Sequence, residues 1–479
     1  MDPQSQIDRR TLLRGTALGF GHVAFRAMLA AEARGATSGN EAASPAPRNP
    51  LAPRPPLARP RARRVIFLFM KGGPSHVDTF DFKPLLQRDD GKELPFAKPR
   101  VQFAPTGKLL ASPWKFRPAG ASGIPVSSLF PEVARQVDDI CFLHSVHGTN
   151  AAHGGASLKL HTGSDNFVRP SMGSWITYGL GSENEDLPGF ITICPTLAHG
   201  GVSNWSSAFL PAQFQGTPLG NASLPATEAR LKYANNERLP ANLQRQQLDL
   251  LHTLNRRHLE TAGPLDELTA RMNSFELAFR MQAAAPELED ISSESPATLE
   301  LYGMNDAKTA DFGRQCLLAR RFAERGVRFI QATHSDSLVQ WDQHSDLQAG
   351  HEKNALEVDR PIAALLADLK QRGMLDDTLV LWGGEFGRTP TAQGTNGRDH
   401  NPEGFTMWMA GGGVKGGYRY GATDEYGYYA RENKMHLHDL HATLLFLLGL
   451  DHTQLTYRHA GRDFRLTDVA GEVATDIVA

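Results

Sequence analysis

The chain has 479 residues, enough for one large α/β domain or for two to four smaller domains. Its content of 41% hydrophobic and 21% charged residues excludes a wholly disordered chain. Residues 1–64 hold eleven Arg, no Lys and four acidic residues, a net charge of +7. Because the whole chain has a net charge of −2, residues 65–479 carry about −9. Such an acidic body argues against nucleic acid as a partner.

The basic N-terminus has the pattern of a targeting segment. Arg9 and Arg10 precede Leu12 and Leu13, which resembles a twin-arginine export signal. We therefore expect a signal peptide at residues 1–36, recognition by the twin-arginine export machinery, and a periplasmic or cell-surface protein. An ordinary amphipathic helix is the alternative. Because His22 and Arg26 interrupt the apolar stretch that follows, it predicts no stable transmembrane span.

Residues 37–63 are rich in proline, which predicts a stiff, extended linker before a folded domain at residues 64–475. In that domain, apolar runs typical of buried strands alternate with helical patterns, which indicates an α/β fold with a mostly parallel sheet. Leu, Arg, Gln and Glu in residues 240–290 predict one or two long inserted helices. The predicted strands are 64–71, 140–146, 190–194, 327–332, 378–382 and 405–410.

Histidines and carboxylates follow four of these strands. In open α/β sheets, sites form at the carboxyl ends of the strands. An isolated His in such a loop is most often an ordinary polar residue, but four strand ends that deliver the same chemistry favour a metal or catalytic site. The three cysteines are far apart and form no CxxC pair, so imidazole and carboxylate must supply any ligands. The residues that follow these strands include His76, Asp78, His144, His147, His153, His334, Asp336, Asp342, His344, His351, Glu385, Arg388, Asp399 and His400.

Several motifs carry a resemblance to a known family. Leu365–Trp382 looks like the helix–strand unit of the alkaline phosphatase and sulfatase superfamily. Trp341-Asp-Gln-His344, Gly384-Glu-Phe-Gly-Arg-Thr-Pro390 and Gly397-Arg-Asp-His400, with the twin arginines, are similar to a bacterial family filed as domain of unknown function 1501. The resemblance covers nearly all of residues 60–470. It implies a sulfatase-like α/β fold, in which helices sandwich a mostly parallel sheet.

The resemblance also implies a divalent metal: zinc, calcium or manganese. The superfamily's first-strand Asp is absent, so His76 or Asp78 would have to replace it. His153 stands where the superfamily has a Ser, Thr or modified Cys nucleophile, and could form a covalent intermediate, act as an acid or base, or bind the metal. Arg388 could bind a sulfate or phosphate oxygen or form a structural ion pair. The remaining implied metal ligands are Asp342, His344, Glu385, Asp399 and His400.

Two functions from different classes follow. The first is an exported metal-dependent hydrolase of sulfate or phosphate esters, acting on a small-molecule or polysaccharide substrate. The second is a catalytically inactive surface, scaffold or glycan-binding protein that keeps the fold. The set of carboxylates and histidines favours the first, and the absence of the superfamily's nucleophile favours the second.

Overall fold

The chain is organised around a mixed sheet, seen in a computed structural model that describes residues 51–97, 104–232, 236, 238–263, 265–336 and 340–479. The predicted signal peptide at 1–36 and the first part of the Pro-rich segment lie outside these residues. None of the helices in the described ranges has the length and apolar character needed to cross a bilayer.

Nine of the described strands form the central sheet, in the order β12-β4-β11-β8-β1-β7-β5-β6, with β15 beside β4. Its strands are β1 (Arg64–Met70), β4 (Ile140–His147), β5 (Phe190–Ile193), β6 (Thr217–Leu219), β7 (Phe329–His334), β8 (Thr378–Gly383), β11 (Phe405–Ala410), β12 (Tyr418–Tyr420) and β15 (Met435–His436). The two-stranded sheets comprise β2 (Phe116–Ala119), β3 (Ile124–Ser127), β9 (Gly387–Gln393), β10 (Gly397–Asn401), β13 (Ala422–Thr423), β14 (Ala430–Glu432), β16 (Tyr457–His459) and β17 (Arg462–Phe464).

Helices cover the sheet and form the insertion at 240–290. They are α1 (His76–Thr79), α2 (Pro84–Arg88), α3 (His153–Thr162), α4 (Met172–Leu180), α5 (Ala241–Ala262), α6 (Asp266–Glu289), α7 (Pro296–Leu301), α8 (Ala310–Glu324), α9 (Leu347–Gln371) and α10 (Leu437–Leu447). The two inserted helices, α5 and α6, confirm the helical pattern read from the sequence.

Strand β1 lies at the centre of the sheet, parallel to both of its neighbours. Ile66 is paired with Ile330 of β7 on one side and with Val380 of β8 on the other. Strand β11 runs antiparallel to β8 and β4, so β4 points the same way as β8. The mostly parallel sheet is thus confirmed, and five strands that are followed by polar loops (β1, β4, β5, β7 and β8) end at the same edge.

Alternation along β1 explains why both faces of the sheet are covered. Ile66 and Leu68 face a core formed with α8 and α9, whereas Phe67 and Phe69 face a second core formed with α3, α4 and α10. Because successive side chains of a strand point to opposite faces, a run that is apolar at every position requires helices on both sides. This is the sandwich of helices around a sheet that the family resemblance implied.

The packed body begins before Arg64. The Leu51 carbonyl accepts a hydrogen bond from Ser182 N at 2.7 Å, and Arg54 N donates to the Leu180 carbonyl at 2.8 Å. Residues 51–63, expected to be linker, therefore lie against the body in the described structure. Strand β7 also begins two residues later than its hydrophobic pattern predicted, at Phe329.

Candidate metal centre

The loops after β4, β7 and β8 and a hairpin beyond β8 bring polar side chains to one point. His153 begins α3 after β4, Asp342 follows β7, and Glu385 follows β8. His400 lies on β10, which pairs with β9 as a separate two-stranded sheet. Segments separated by more than two hundred residues along the chain therefore share one cluster.

Asp342 is the centre of this cluster, because three imidazoles converge on its carboxylate. His344 Nε2 and His400 Nε2 each lie 3.0 Å from Asp342 Oδ1. His153 Nε2 lies 3.1 Å from Asp342 Oδ2. The same nitrogen, Nε2, faces the carboxylate in all three rings.

The opposite nitrogen of each ring has an oxygen acceptor. His153 Nδ1 lies 2.6 Å from Glu385 Oε1, His400 Nδ1 lies 2.6 Å from the Ala151 carbonyl, and His344 Nδ1 contacts Gln393 Oε1. These partners assign the proton of a neutral imidazole to Nδ1 and leave a lone pair on Nε2. This arrangement is the one that orients histidines toward a bound metal.

The cluster passes a test of fit for a divalent ion. His153 Nε2 is buried, yet it makes no hydrogen bond of acceptable geometry, even though Asp342 is close. The ligand atoms of His153, Asp342 and His400 lie within 4.8 Å of one another, and so do those of His344, Asp399 and His400. A buried, unsatisfied lone pair beside convergent imidazoles and carboxylates is what a zinc-type site requires.

The electrostatics of the cluster favour positive charge at its centre. Burial raises the pKa of Asp342, but its close contacts with the imidazoles of His153, His344 and His400 outweigh burial and hold that pKa well below its usual range. Burial likewise raises the pKa of Glu385, and its hydrogen bond with His153 lowers the pKa overall. Burial lowers the pKa of His153, but its contact with Asp342 and its hydrogen bond to Glu385 more than compensate and raise the pKa. The carboxylates thus stabilise a cation here, whether it is a proton on the imidazole or a metal ion.

Arg388 holds Asp342 in place. Its side chain is completely buried, and its Nη2 lies 2.6 Å from Asp342 Oδ1. Its Nε donates to the Gly73 carbonyl at 2.9 Å, and Nη2 also contacts the Gly72 carbonyl. These contacts make a structural ion pair, the alternative left open for Arg388, rather than a guanidinium free to bind a substrate oxygen.

The turn after β1 needs glycine to let these groups approach. Gly72 has φ +104°, and a Cβ there would lie 2.7 Å from Trp341 N, next to Asp342. Gly72 N also donates to both oxygens of Glu385, at 3.0 and 3.1 Å. Glu385 is therefore occupied by Gly72 and His153, and the structure makes it the partner of a candidate ligand rather than a ligand itself.

The structure does not bring His76 or Asp78 into the cluster, which corrects the expectation that one of them supplies a ligand. Asp78 forms a fully buried ion pair with Arg398, whose Nε lies 2.6 Å from Asp78 Oδ2. His76 Nε2 lies 2.8 Å from the Gly427 carbonyl. The first strand therefore contributes the backbone of the Gly72–Gly73 turn in place of a metal-binding side chain.

Sequence reasoning missed His199, which follows β5. Its ring stacks on the ring of His153, with centroids 4.8 Å apart and planes 16° apart. Its backbone adopts φ +51°, uncommon for a residue with a side chain, and Gly200 and Gly201 follow. The available signal was a His before two glycines at the end of a predicted strand.

Comparisons with known proteins give one family and several solved structures to which the chain is similar. A family model described as "Protein of unknown function (DUF1501)" matches residues 62–478. A search of curated proteins gives no match. Solved structures that are similar include Ps i-CgsB in complex with k-i-k-neocarrahexaose, at 10% identity and a TM-score of 0.37, covering 81% of this chain and 72% of that chain. The PsFucS1 sulfatase from Pseudoalteromonas sp. is 14% identical, with a TM-score of 0.35, 82% coverage of this chain and 68% of that chain.

Proposed function

The chain belongs to the DUF1501 family, and we propose that it is a metal-dependent hydrolase of sulfate or phosphate esters. One observation carries the proposal: three imidazole Nε2 atoms converge on Asp342 while each Nδ1 is held by an oxygen acceptor. A site built only to stabilise the fold would not need three imidazoles on one carboxylate, each with its opposite nitrogen held as well.

The ligand set narrows the choice of metal. His153, His344, His400 and Asp342 would hold the ion, with Asp399 beside His344 and His400. Three imidazoles and a carboxylate fit zinc or manganese, whereas calcium takes oxygen ligands. When bound, the ion would neutralise charge that develops on the ester oxygens.

The residues around the ion would position its ligands and attract the anionic ester. Glu385 fixes the ring of His153, and Arg388 fixes the carboxylate of Asp342. Lys71, at the end of β1, is buried, and burial lowers its pKa overall, although the charges of Glu385, Asp336 and Asp342 oppose this. In its protonated form the side chain would be a second source of positive charge near the cluster for an anionic ester.

A binding protein without catalysis is the second candidate, and one observation favours it. The ring of His153, at the position of the superfamily nucleophile, contacts the rings of His199 and Phe386, and its Nδ1 is held by Glu385. A side chain fixed in this way suits a metal ligand better than an attacking group. The hydrolase proposal therefore assigns His153 to metal binding.

The test combines metal analysis with hydrolysis of an aryl sulfate and an aryl phosphate by the purified full chain. We expect one or more equivalents of zinc or manganese, with both metal and turnover lost in His400→Ala and Asp342→Asn. His258→Ala, at an exposed position on α5, is the matched control and should keep both. Metal without turnover on either ester would favour the binding protein, and protein that takes up no metal would overturn the proposal of a metal-dependent hydrolase.

Export is a separate part of the proposal. The sequence pattern at Arg9 and Arg10 supports a twin-arginine signal and a periplasmic or cell-surface location. Fractionation of cells that express the full chain should find it outside the cytoplasm, and Arg9→Lys with Arg10→Lys should retain it inside. Equal distribution of the wild type and the double variant would refute this part without touching the metal centre.

A further inference from the structure

The loop Leu197–Val202, named the rim loop, has an unusual backbone. His199, Gly200 and Gly201 adopt φ of +51°, +97° and +51° in succession. A left-handed conformation at a residue with a side chain costs on the order of 1–2 kcal/mol, so it persists only where neighbours enforce it. Asn204, which is buried, enforces it by donating from Nδ2 to the His199 carbonyl at 3.1 Å.

Close packing at Gly200 shows that the backbone conformation of the rim loop requires glycine there. A Cβ at that position would lie 2.4 Å from Asn204 Oδ1. Gly201–Trp205, which overlaps the end of the rim loop, is a 3-10 helix that packs against α3, the helix that begins with His153. The rim loop is therefore anchored to the element that carries a candidate metal ligand.

The strained backbone places one polar side chain, that of His199, against the ring of His153. The His199 ring lies parallel to His153 at 4.8 Å, and its Nδ1 is buried without a hydrogen-bond partner among the described residues. An unsatisfied buried nitrogen next to the proposed ion is available to an oxygen atom of a bound ester.

Apolar side chains flank His199 on both sides. Leu197 is 68% exposed and Val202 is 50% exposed. Single exposed apolar residues are ordinary on protein surfaces. Here, however, both lie within three residues along the chain of His199, whose ring stacks on a candidate metal ligand.

We propose that the rim loop selects esters whose alcohol part is apolar, an aryl or alkyl group, rather than a sugar. His199 hydrogen-bonds an oxygen of the ester group, while Leu197 and Val202 contact the apolar alcohol. A sugar at the same place would lose hydration of its hydroxyls without gaining partners from Leu or Val. This inference rests on the proposed function, since it concerns the substrate of the same centre.

The test uses two inert sulfonates, naphthalene-2-sulfonate and methanesulfonate, titrated by calorimetry into the full chain loaded with zinc. The wild type should bind the aryl compound more tightly. The double variant Leu197→Ser, Val202→Ser should bind naphthalene-2-sulfonate about tenfold more weakly, the effect of losing roughly 55 Å² of apolar contact. Its affinity for methanesulfonate should be unchanged. His199→Phe keeps an aromatic ring against His153 but removes the imidazole nitrogens, and it should lower the affinity for both sulfonates.

Leu224→Ser is the control, since Leu224 is also exposed but lies outside the rim loop. Metal content is measured for every variant, so that misfolding is recognised. Equal affinity of the wild type for the two sulfonates, or an unchanged affinity ratio in the double variant, overturns the inference. A protein that binds no metal or cleaves no ester would overturn the proposed function, not this inference. In that case, the ratio of the affinities for the two sulfonates is measured on the protein as purified.

Discussion

Replacing Glu385 by Gln tests whether this buried carboxylate orients His153 for metal binding. Glu385 accepts from His153 Nδ1 at 2.6 Å and from Gly72 N at 3.0 and 3.1 Å. Gln offers one oxygen and one NH2 group, so one of the two donors would face another donor. The His153 hydrogen bond to a charged acceptor is worth about 1.5–3 kcal/mol, and an unsatisfied buried group costs about 1–3 kcal/mol.

We therefore expect Glu385→Gln to lower the free energy of unfolding by about 2–4 kcal/mol. Metal affinity should fall about 10- to 100-fold, as is usual when the partner of a ligating histidine is removed. Denaturant titration with chelator present gives the first quantity, and competition with a chromogenic chelator gives the second.

Glu357→Gln provides the matched control. Glu357 Oε2 lies 2.9 Å from His334 Nε2, which makes a second carboxylate–histidine pair, but it is partly exposed and outside the cluster. Its substitution should cost less than about 1 kcal/mol and leave metal affinity unchanged. Equal metal affinities for the two variants would refute the orienting role of Glu385.

Three further predictions concern stability. Asp78→Asn leaves Arg398 buried without its charge partner and should cost about 3–5 kcal/mol in denaturant unfolding; a loss below 1 kcal/mol would contradict this. Gly72→Ala places a Cβ 2.7 Å from Trp341 N at φ +104°, so it should lower the thermal midpoint and reduce metal content together; an unchanged midpoint would count against it. Burial lowers the pKa of several histidines to about 3 or 4, below the value of about 6.5 in the unfolded chain. The folded state is therefore fully stable above pH 6.5. As the pH falls below 6.5, the free energy of unfolding decreases by up to about 1.4 kcal/mol per pH unit for each of these histidines. Denaturant midpoints that stay constant from pH 6.5 to 4.5 would contradict the last prediction, which rests on His144, His161, His351 and His441.

The sequence predicted those features that depend on local pattern. Continuous apolar runs identified the buried strands, and because parallel strands end at one edge, Asp342, His344, Asp399 and His400 could be expected together. His153 was found by its place after β4, although its role as a ligand depends on which nitrogen faces Asp342. That orientation is set by Glu385, 232 residues away in the chain.

The remaining features depend on pairings that no local pattern contains. Asp78 looked like a ligand after β1, but Arg398, 320 residues later, neutralises it in the core. The sequence left open whether Arg388 binds a substrate oxygen or forms a structural ion pair; backbone carbonyls of the Gly72–Gly73 turn and the Asp342 carboxylate accept from it. His199 gave only a weak signal, since a His before two glycines is common in turns.

The hairpin of β9 and β10 gives the centre a particular place in the folding of the chain. It carries His400 and Asp399, forms a two-stranded sheet separate from the central one, and is tied to the start of the body through the contact of Arg398 with Asp78. Contacts of such long sequence separation form slowly, because most of the chain must be ordered before they close. Metal uptake should therefore accompany the last steps of folding, and a metal-sensitive dye would report when the first and last thirds of the molecule have met.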